Sequence, residues 1–242
     1  RNNTEAAQAA PAPAPPLTAP APPSSNRKKP LVVILRGVPG SGKSTTMKFA
    51  LSQLASSSSP TITSVVCSAD HYFERIDSIT GEVVYEWSAS KIKDAHEYCQ
   101  NKFDQTLRSS NPPDVVVVDN TNVRRWNYAK YLASASKHGN TDVLVLSMKT
   151  KVAPATNGHN VPVETVQRML RQWQDDRNEV VVPSTRDEVA TKLVHDAVSE
   201  RVESIRAWRR DEERRRRMGK EEDKEEKEEK EKEENLVAAA LR

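Results

Sequence analysis

Two cysteines, Cys67 and Cys99, are all that the 242 residues contain. That number excludes a disulfide-stapled scaffold, and their separation excludes a cysteine-based metal site. Packing is the role expected of each, with a reducing compartment as the default. Long apolar runs are also missing. None approaches the roughly 18 to 20 residues of a membrane span, so no membrane partner is expected. An excess of one charge is missing too, because the formal net charge of +3 conceals a neutral centre: residues 31–205 hold 20 basic and 20 acidic side chains. Strong non-specific nucleic-acid binding by that centre is therefore not expected from charge, and any binding groove must be local. The chain opens at Arg1, which leaves a removed targeting segment and a shortened chain both open; the expected location is the mitochondrial matrix or the cytoplasm.

Composition divides the chain. Eight of the 15 prolines fall in residues 1–30, interleaved with eight alanines. Such a stretch has too little apolar surface to form a core and reads as a disordered arm. Residues 31–183 carry nearly every strand-like run and suit one domain. From Arg206 to Glu234, 25 of 29 residues are charged, 12 basic and 13 acidic. Their spacing fits a solvated helix with i,i+4 pairs such as Glu226 and Lys230, of the kind found in coiled coils, and a disordered tail fits equally. Residues 184–242 are therefore set apart as a charged, helical extension. Within it, Arg214 to Arg217 form a short basic block whose field is diluted by flanking acids.

The segment with most chemical content is Gly37-Val38-Pro39-Gly40-Ser41-Gly42-Lys43-Ser44, directly after the apolar run Leu31 to Leu35. It fills the pattern G-x-x-x-x-G-K-[ST] of a phosphate-binding loop. Glycines let consecutive backbone N–H groups converge on one anion, and the following helix adds its unpaired N–H groups and the positive end of its dipole. Lys43 would reach the β- and γ-phosphates, and the Ser44 hydroxyl would ligate Mg²⁺. A plain Gly/Ser turn would need neither a strand before it nor a helix after it. The nucleotide, ATP or GTP, is thus expected against Gly37, Gly40, Ser41, Gly42, Lys43, Ser44 and Thr45.

Short apolar strands alternate with helical patterns across the centre. Strands are predicted at Leu31 to Arg36, Thr63 to Ser68, Val115 to Val118 and Val143 to Met148. Helices are predicted at Ser44 to Leu54, Ser90 to Ser109, Arg124 to His138, and from Pro162 with Val163, Val166, Met169, Leu170 and Trp173 on one face. Between the second strand and the second helix lies an irregular stretch with a turn at Thr80-Gly81. The alternation argues for an α/β fold, the three-layer P-loop architecture of a parallel sheet flanked by helices. Ligands in such sheets bind at the carboxyl ends of the strands, where Gly37, Asp70 and Asp119 would all lie.

Six segments together resemble the polynucleotide-kinase-like branch of P-loop kinases. They are Arg36 through Thr45; Ser68-Ala69-Asp70-His71-Tyr72-Phe73; Tyr85-Glu86-Trp87; Ala95-His96-Glu97; Val118-Asp119-Asn120-Thr121-Asn122; and His159-Asn160-Val161 ahead of Glu164 and Arg168-Met169. The nearest likeness is to the kinase-like domain that also occurs in larger ubiquitin-ligase-binding proteins, and it covers about Leu31 to Gln174. The resemblance implies transfer of the ATP γ-phosphate to a 5′-hydroxyl of RNA or DNA. Asp70 would be the general base, with a cap of the next segment as its alternative role. Asp119 would orient Mg²⁺ or its water, with a strand-end turn as the alternative. Thr121 and Asn122 would line the acceptor pocket. His96 either faces the same cleft or is an exposed or core-satisfied helix residue.

The sequence also departs from that pattern. Where the family carries lid arginines before an Asn-x-His-Gly-Val segment, this chain reads Ala155-Thr156-Asn157-Gly158-His159-Asn160-Val161. Lys149, Lys151, Arg168 and Arg171 are the cations that could substitute. His71 replaces an acidic residue, and Phe73 stands where some members hold an arginine for the nucleic-acid phosphate. Two function classes follow. One is an ATP-dependent polynucleotide kinase. The other is a nucleotide-binding scaffold subunit of a large ribonucleoprotein assembly such as a mitochondrial ribosome, attached through the arm and the charged helix.

Overall fold

The computed structural model describes residues 29–58, 61–138, 141–150, 154, 157–184 and 188–240. The proline-rich arm up to residue 28, and Ala155 and Thr156 of the lid segment, lie outside the described residues.

Five strands form one parallel sheet in the order β2-β5-β1-β6-β7. They are β1 (Leu31–Arg36), β2 (Ser64–Cys67), β5 (Val115–Asp119), β6 (Val143–Lys149) and β7 (Glu179–Pro183). Strand β1 lies centrally, with Leu31 opposite Val115 on one side and Val32 opposite Val143 on the other. All six of its residues are buried. A continuous apolar run is what a parallel strand covered on both faces requires. Helices α1 (Lys43–Ser57), α2 (Ile92–Arg108), α3 (Arg125–Lys137), α4 (Val163–Arg171) and α5 (Glu188–Ala240) complete the described elements apart from short helical turns and one hairpin.

Two core layers flank the sheet. Leu31, Val33 and Leu35 point into a layer with Met47, Ala50 and Leu54 of α1, whereas Val32 and Ile34 point into the opposite one with Cys99 and Phe103 of α2 and Tyr131 of α3. The alternation follows from the two-residue period of a strand. On α2 the buried set Ala95, Cys99, Phe103 and Leu107 repeats every four residues, while Ile92 and Tyr98, expected on the same face, are exposed. A smaller cluster joins Val38 of the phosphate loop, Val123 and Val166 of α4. Both cysteines are buried and free, as expected of packing residues.

Three features differ from the sequence reading. The irregular stretch after Asp70 contains an antiparallel hairpin, β3 (Glu74–Ile76) and β4 (Val83–Tyr85), whose turn places Gly81 at φ 70°. Asp77 Oδ1 accepts the N–H groups of Ile79 and Thr80 there and closes the turn. Strand β7 was not anticipated; it pairs with β6 and forms one sheet edge. Finally, the segment assigned to a charged extension from residue 184 contributes Ala190, Val194, Val198 and Val202 to the core beside α1. The core thus continues past the expected boundary at residue 183. Asp114 adds to that anchorage: it accepts from the Thr63 N–H and hydroxyl and faces Arg206 and Arg209 of α5. No described helix is long and apolar enough to cross a membrane.

Candidate phosphate and acceptor site

Gly40 and Gly42 take φ values of 81° and 91°, a region costly for a residue with a Cβ. These two turns carry the chain from β1 into α1. Gly37 is held differently: its N–H donates to the Thr121 carbonyl at 2.9 Å, and a Cβ there would lie 2.4 Å from Ser41 Oγ and 3.3 Å from the Met148 carbonyl. Helix α1 has no side-chain cap and no acidic residue in its first turn. Its leading N–H groups and positive dipole end are left to an incoming anion. Ser44 and Thr45 are exposed at that end, and Lys43 is half-buried.

Ser41 Oγ and Asp119 Oδ1 are among the buried side-chain oxygens with no hydrogen-bond partner in the described residues. Buried polar atoms ordinarily do have one, so both fit a site completed by a ligand. A hydroxyl, a carboxylate and phosphate oxygens are the hard oxygen donors that suit Mg²⁺, which keeps several waters and needs few protein ligands. No described cluster of three or more His, Cys, Asp or Glu side chains forms a self-sufficient metal cage.

The carboxyl ends of β2 and β5 are stitched together. Ser68 Oγ donates to the Asp119 carbonyl at 2.9 Å and accepts the Asp70 N–H at 3.2 Å; Asn120 Oδ1 accepts the Ala69 N–H at 3.0 Å. These bonds, with that between Gly37 and Thr121, bring Asp70, Asp119 and the phosphate loop to one sheet edge. Asp70 starts a single helical turn, Asp70–Tyr72, and its side chain is about half exposed. Tyr85 Oη donates to Asp70 Oδ1 at 3.0 Å, and His159 Nε2 lies 3.5 Å from Oδ2. Burial first, and the Asp70 charge second, push the Tyr85 phenol above its ordinary range, so it remains a donor. His96 also senses Asp70, but burial holds its imidazole below the ordinary value.

One expectation changes in position. Asn122, expected to line the acceptor pocket, is buried at φ 44°; its side-chain amide donates to the Leu35 carbonyl at 2.8 Å. It braces the end of β1. Thr121 lends its backbone carbonyl to Gly37. Phe73 is buried in the α2 layer and cannot meet a phosphate, and His71 Nδ1 lies 3.3 Å from Lys102 Nζ. Lys149, one possible lid cation, is held by Asp175 at 2.8 Å and Glu179 at 2.7 Å, and those partners raise its pKa.

Arg36 is the residue whose importance sequence reasoning missed. Its side chain is fully buried, donating to the carbonyls of Asn122 at 2.9 Å, Val123 at 3.2 Å and Gln174 at 2.5 Å and to the Glu179 carboxylate. The rings of Trp173 and Tyr128 stand 4.6 and 5.1 Å from the guanidinium carbon. The residue immediately before Gly37 thus ties the phosphate loop to the β5–α3 connection, the segment after α4, and β7. A lone charge ending an otherwise apolar strand was the available signal.

A glycine loop shaped for an anion, opening a helix at the carboxyl edge of a parallel sheet, defines a P-loop kinase-like nucleotide-binding domain. Residues 32–180 match the AAA domain family designated AAA_33, and the chain belongs to that family. Over 150 residues it is 31% identical to human NEDD4-binding protein 2, a stretch that is 60% of this chain and 8% of that protein's length. Among solved structures, Kti12 of Chaetomium thermophilum bound to ADP-AlF3 has 18% identity and a TM-score of 0.49, covering 70% of this chain and 97% of that one. The APS kinase CysC of Mycobacterium tuberculosis, bound to AMPPNP and APS, has 13% identity and a TM-score of 0.45, covering 71% and 96%. A chain of the Pnkp1/Rnl/Hen1 complex has 18% identity and a TM-score of 0.38, covering 64% and 44%.

Proposed function

We propose that this chain is an ATP-dependent phosphotransferase acting on a 5′-hydroxyl of RNA or DNA. The observation that carries the reading is Asp70: a half-exposed carboxylate at the same sheet edge as the phosphate loop, fixed there by the Ser68 and Asn120 bonds. The nucleic-acid class of the acceptor rests on the likeness of the six sequence segments.

Phosphoryl transfer asks mainly for positioning and neutralisation of charge. The loop N–H groups and Lys43 would hold the phosphates. Mg²⁺, held by Ser44 and through Asp119, would neutralise charge on the phosphate oxygens. Asp70 would take the proton of the attacking hydroxyl as its oxygen bonds to phosphorus. Arg36 acts at a distance by holding the loop.

The test uses two variants. Lys43→Ala should abolish nucleotide binding in calorimetry, whereas Asp70→Asn should leave binding nearly intact and remove phosphorylation of a 5′-hydroxyl oligonucleotide. Full activity in Asp70→Asn removes Asp70 from the mechanism.

One observation favours a second reading, a nucleotide-binding scaffold within a ribonucleoprotein assembly. Lys149 is already paired, so it cannot replace the lid arginine without giving up Asp175 and Glu179. Loss of such a cation costs about 10³ to 10⁵ in rate in related chemistry. Nucleotide binding with no turnover on any RNA or DNA end would select the scaffold.

A further inference from the structure

The phosphate loop, the two buried cysteines, the Arg36 cluster and the Asp114 anchorage all have structural accounts above. The groups around Asp70 do not. Three elements far apart in sequence meet there: the turn Asp70–Tyr72, the end of β4 at Tyr85, and the turn that carries His159. The imidazole lies against the Tyr85 ring, with centroids 4.3 Å apart and planes inclined by 31°. Phe73 also meets the Tyr85 ring, at 5.9 Å and edge to face. The His159 turn is itself braced, because Asn157 Oδ1 accepts the Val161 N–H at 2.7 Å and its amide nitrogen donates to the Val161 carbonyl at 3.0 Å.

We infer that Tyr85 and His159 are positioning residues of the acceptor site: Tyr85 engages Asp70 Oδ1, so that Oδ2 is the oxygen that takes the proton, and His159, lying against the Tyr85 ring, stands beside that same Oδ2. A phenol bonded to one carboxylate oxygen fixes the rotamer and leaves the second oxygen to the approaching hydroxyl. The His159 imidazole, 3.5 Å from Oδ2, borders the space through which that hydroxyl approaches. The groups facing the carboxylate are Tyr85 from β4 and His159 from its turn. Farther out, Glu74 of β3 acts on Tyr85, and His96 of α2 senses both Lys130 of α3 and Asp70. The assignment of Oδ2 to the acceptor rests on the phosphotransferase reading; the packing around Asp70 does not.

The experiment is an NMR comparison of the full chain and its variants at one neutral pH, without nucleotide. It follows the His159 ring protons, identified by their loss in His159→Gln, and the side-chain carboxyl carbon of Asp70. Tyr85→Leu should shift the His159 ring protons, because the aromatic face they lie against is gone. Tyr85→Phe keeps that ring but removes the donor to Oδ1, so it should shift the Asp70 carbon and leave the His159 protons in place. Unmoved His159 protons in Tyr85→Leu, or an unmoved Asp70 carbon in Tyr85→Phe, overturn the inference. Neither measurement uses turnover. A chain that shows both shifts but phosphorylates nothing keeps the arrangement and loses only the acceptor role of Oδ2.

Discussion

Replacing Arg36 with methionine tests how the phosphate loop is held. Methionine matches much of the volume but supplies no donor. Glu179, whose side chain is 2% exposed, would keep only Lys149, and the carbonyls of Asn122, Val123 and Gln174 would each lose a bond. Removing one partner of a buried pair costs about 3 to 5 kcal/mol, because the remaining charge stays out of water. For a chain of this length each kcal/mol moves Tm by about 2 to 4 °C, so a fall of roughly 6 to 20 °C is expected. Arg36→Lys should be intermediate: the charge remains, but the planar fork and its stacking between Trp173 and Tyr128 are lost. Urea unfolding followed by circular dichroism gives the stability, and an unchanged m value shows that the same transition is being compared. Arg36→Met with Glu179→Leu should recover part of the loss, since the stranded carboxylate is gone. A single Arg36→Met variant within about 1 kcal/mol of the parent would refute the reasoning, because that is the size of a loss at an ordinary exposed pair.

Further consequences can be measured separately. Gly42→Ala should lose about 1 to 2 kcal/mol and most nucleotide affinity, because φ of 91° is unfavourable for a residue with a Cβ; thermal shift with and without ATP reads both effects. Burial pushes the Cys67 thiol up to about 12 and also raises Cys99, so both should resist a disulfide reagent at pH 8 until the chain unfolds. The Tyr128 hydrogen bond, aided by the Asn178 N–H, holds Asp176 below the usual carboxylate range. That stabilisation is present above the ordinary carboxylate pKa and is lost as pH falls through the lower folded value. Stability of Asp176→Asn should therefore depend less on pH in that acid window. A chain ending at residue 187 should fail to fold, whereas one ending at residue 215 should unfold like the full chain, as measured by denaturant titration.

The truncation outcome follows from burial, and it marks where sequence reading loses sight of the fold. Each fully buried valine contributes about 1.5 to 3 kcal/mol, so Val194, Val198 and Val202 with Ala190 together rival the roughly 5 to 15 kcal/mol that holds a domain folded. Their four-residue spacing is visible in the sequence. It is obscured by the far denser charge pattern that follows, which draws the eye to the solvated part of the same helix. Strand β7 is hidden for another reason. Val180-Val181-Val182 is a short run ended by proline, and Val180 and Val181 are exposed at the sheet edge, so it lacks the buried signature that marks β1 and β5. The hairpin β3–β4 is harder still, since five of its six residues are exposed.

The site divides along the same physical line. The phosphate loop is legible because its function is written in backbone conformation, and glycine at fixed positions is the residue that grants it. Asp70 and Asp119 are legible because each follows an apolar strand, and parallel strands deliver their carboxyl ends to one edge. Asn122 misleads: a polar residue beside a strand-end aspartate suggests a substrate contact, yet at φ 44° its amide is consumed by the Leu35 carbonyl. Arg36, Tyr85 and His159 depend on partners 74 to 143 residues away, among them Glu179 for Arg36 and His159 for Tyr85. No local period encodes such meetings. They arise because β7 closes the sheet beside β6 and because the hairpin folds back through the bond from Glu86 N–H to the Phe73 carbonyl, the two elements least visible beforehand. Glu179, Tyr85 and His159, the side chains that meet Arg36 and Asp70, thus sit on the segments that local sequence marks most weakly, and their roles become testable only once the sheet order is known.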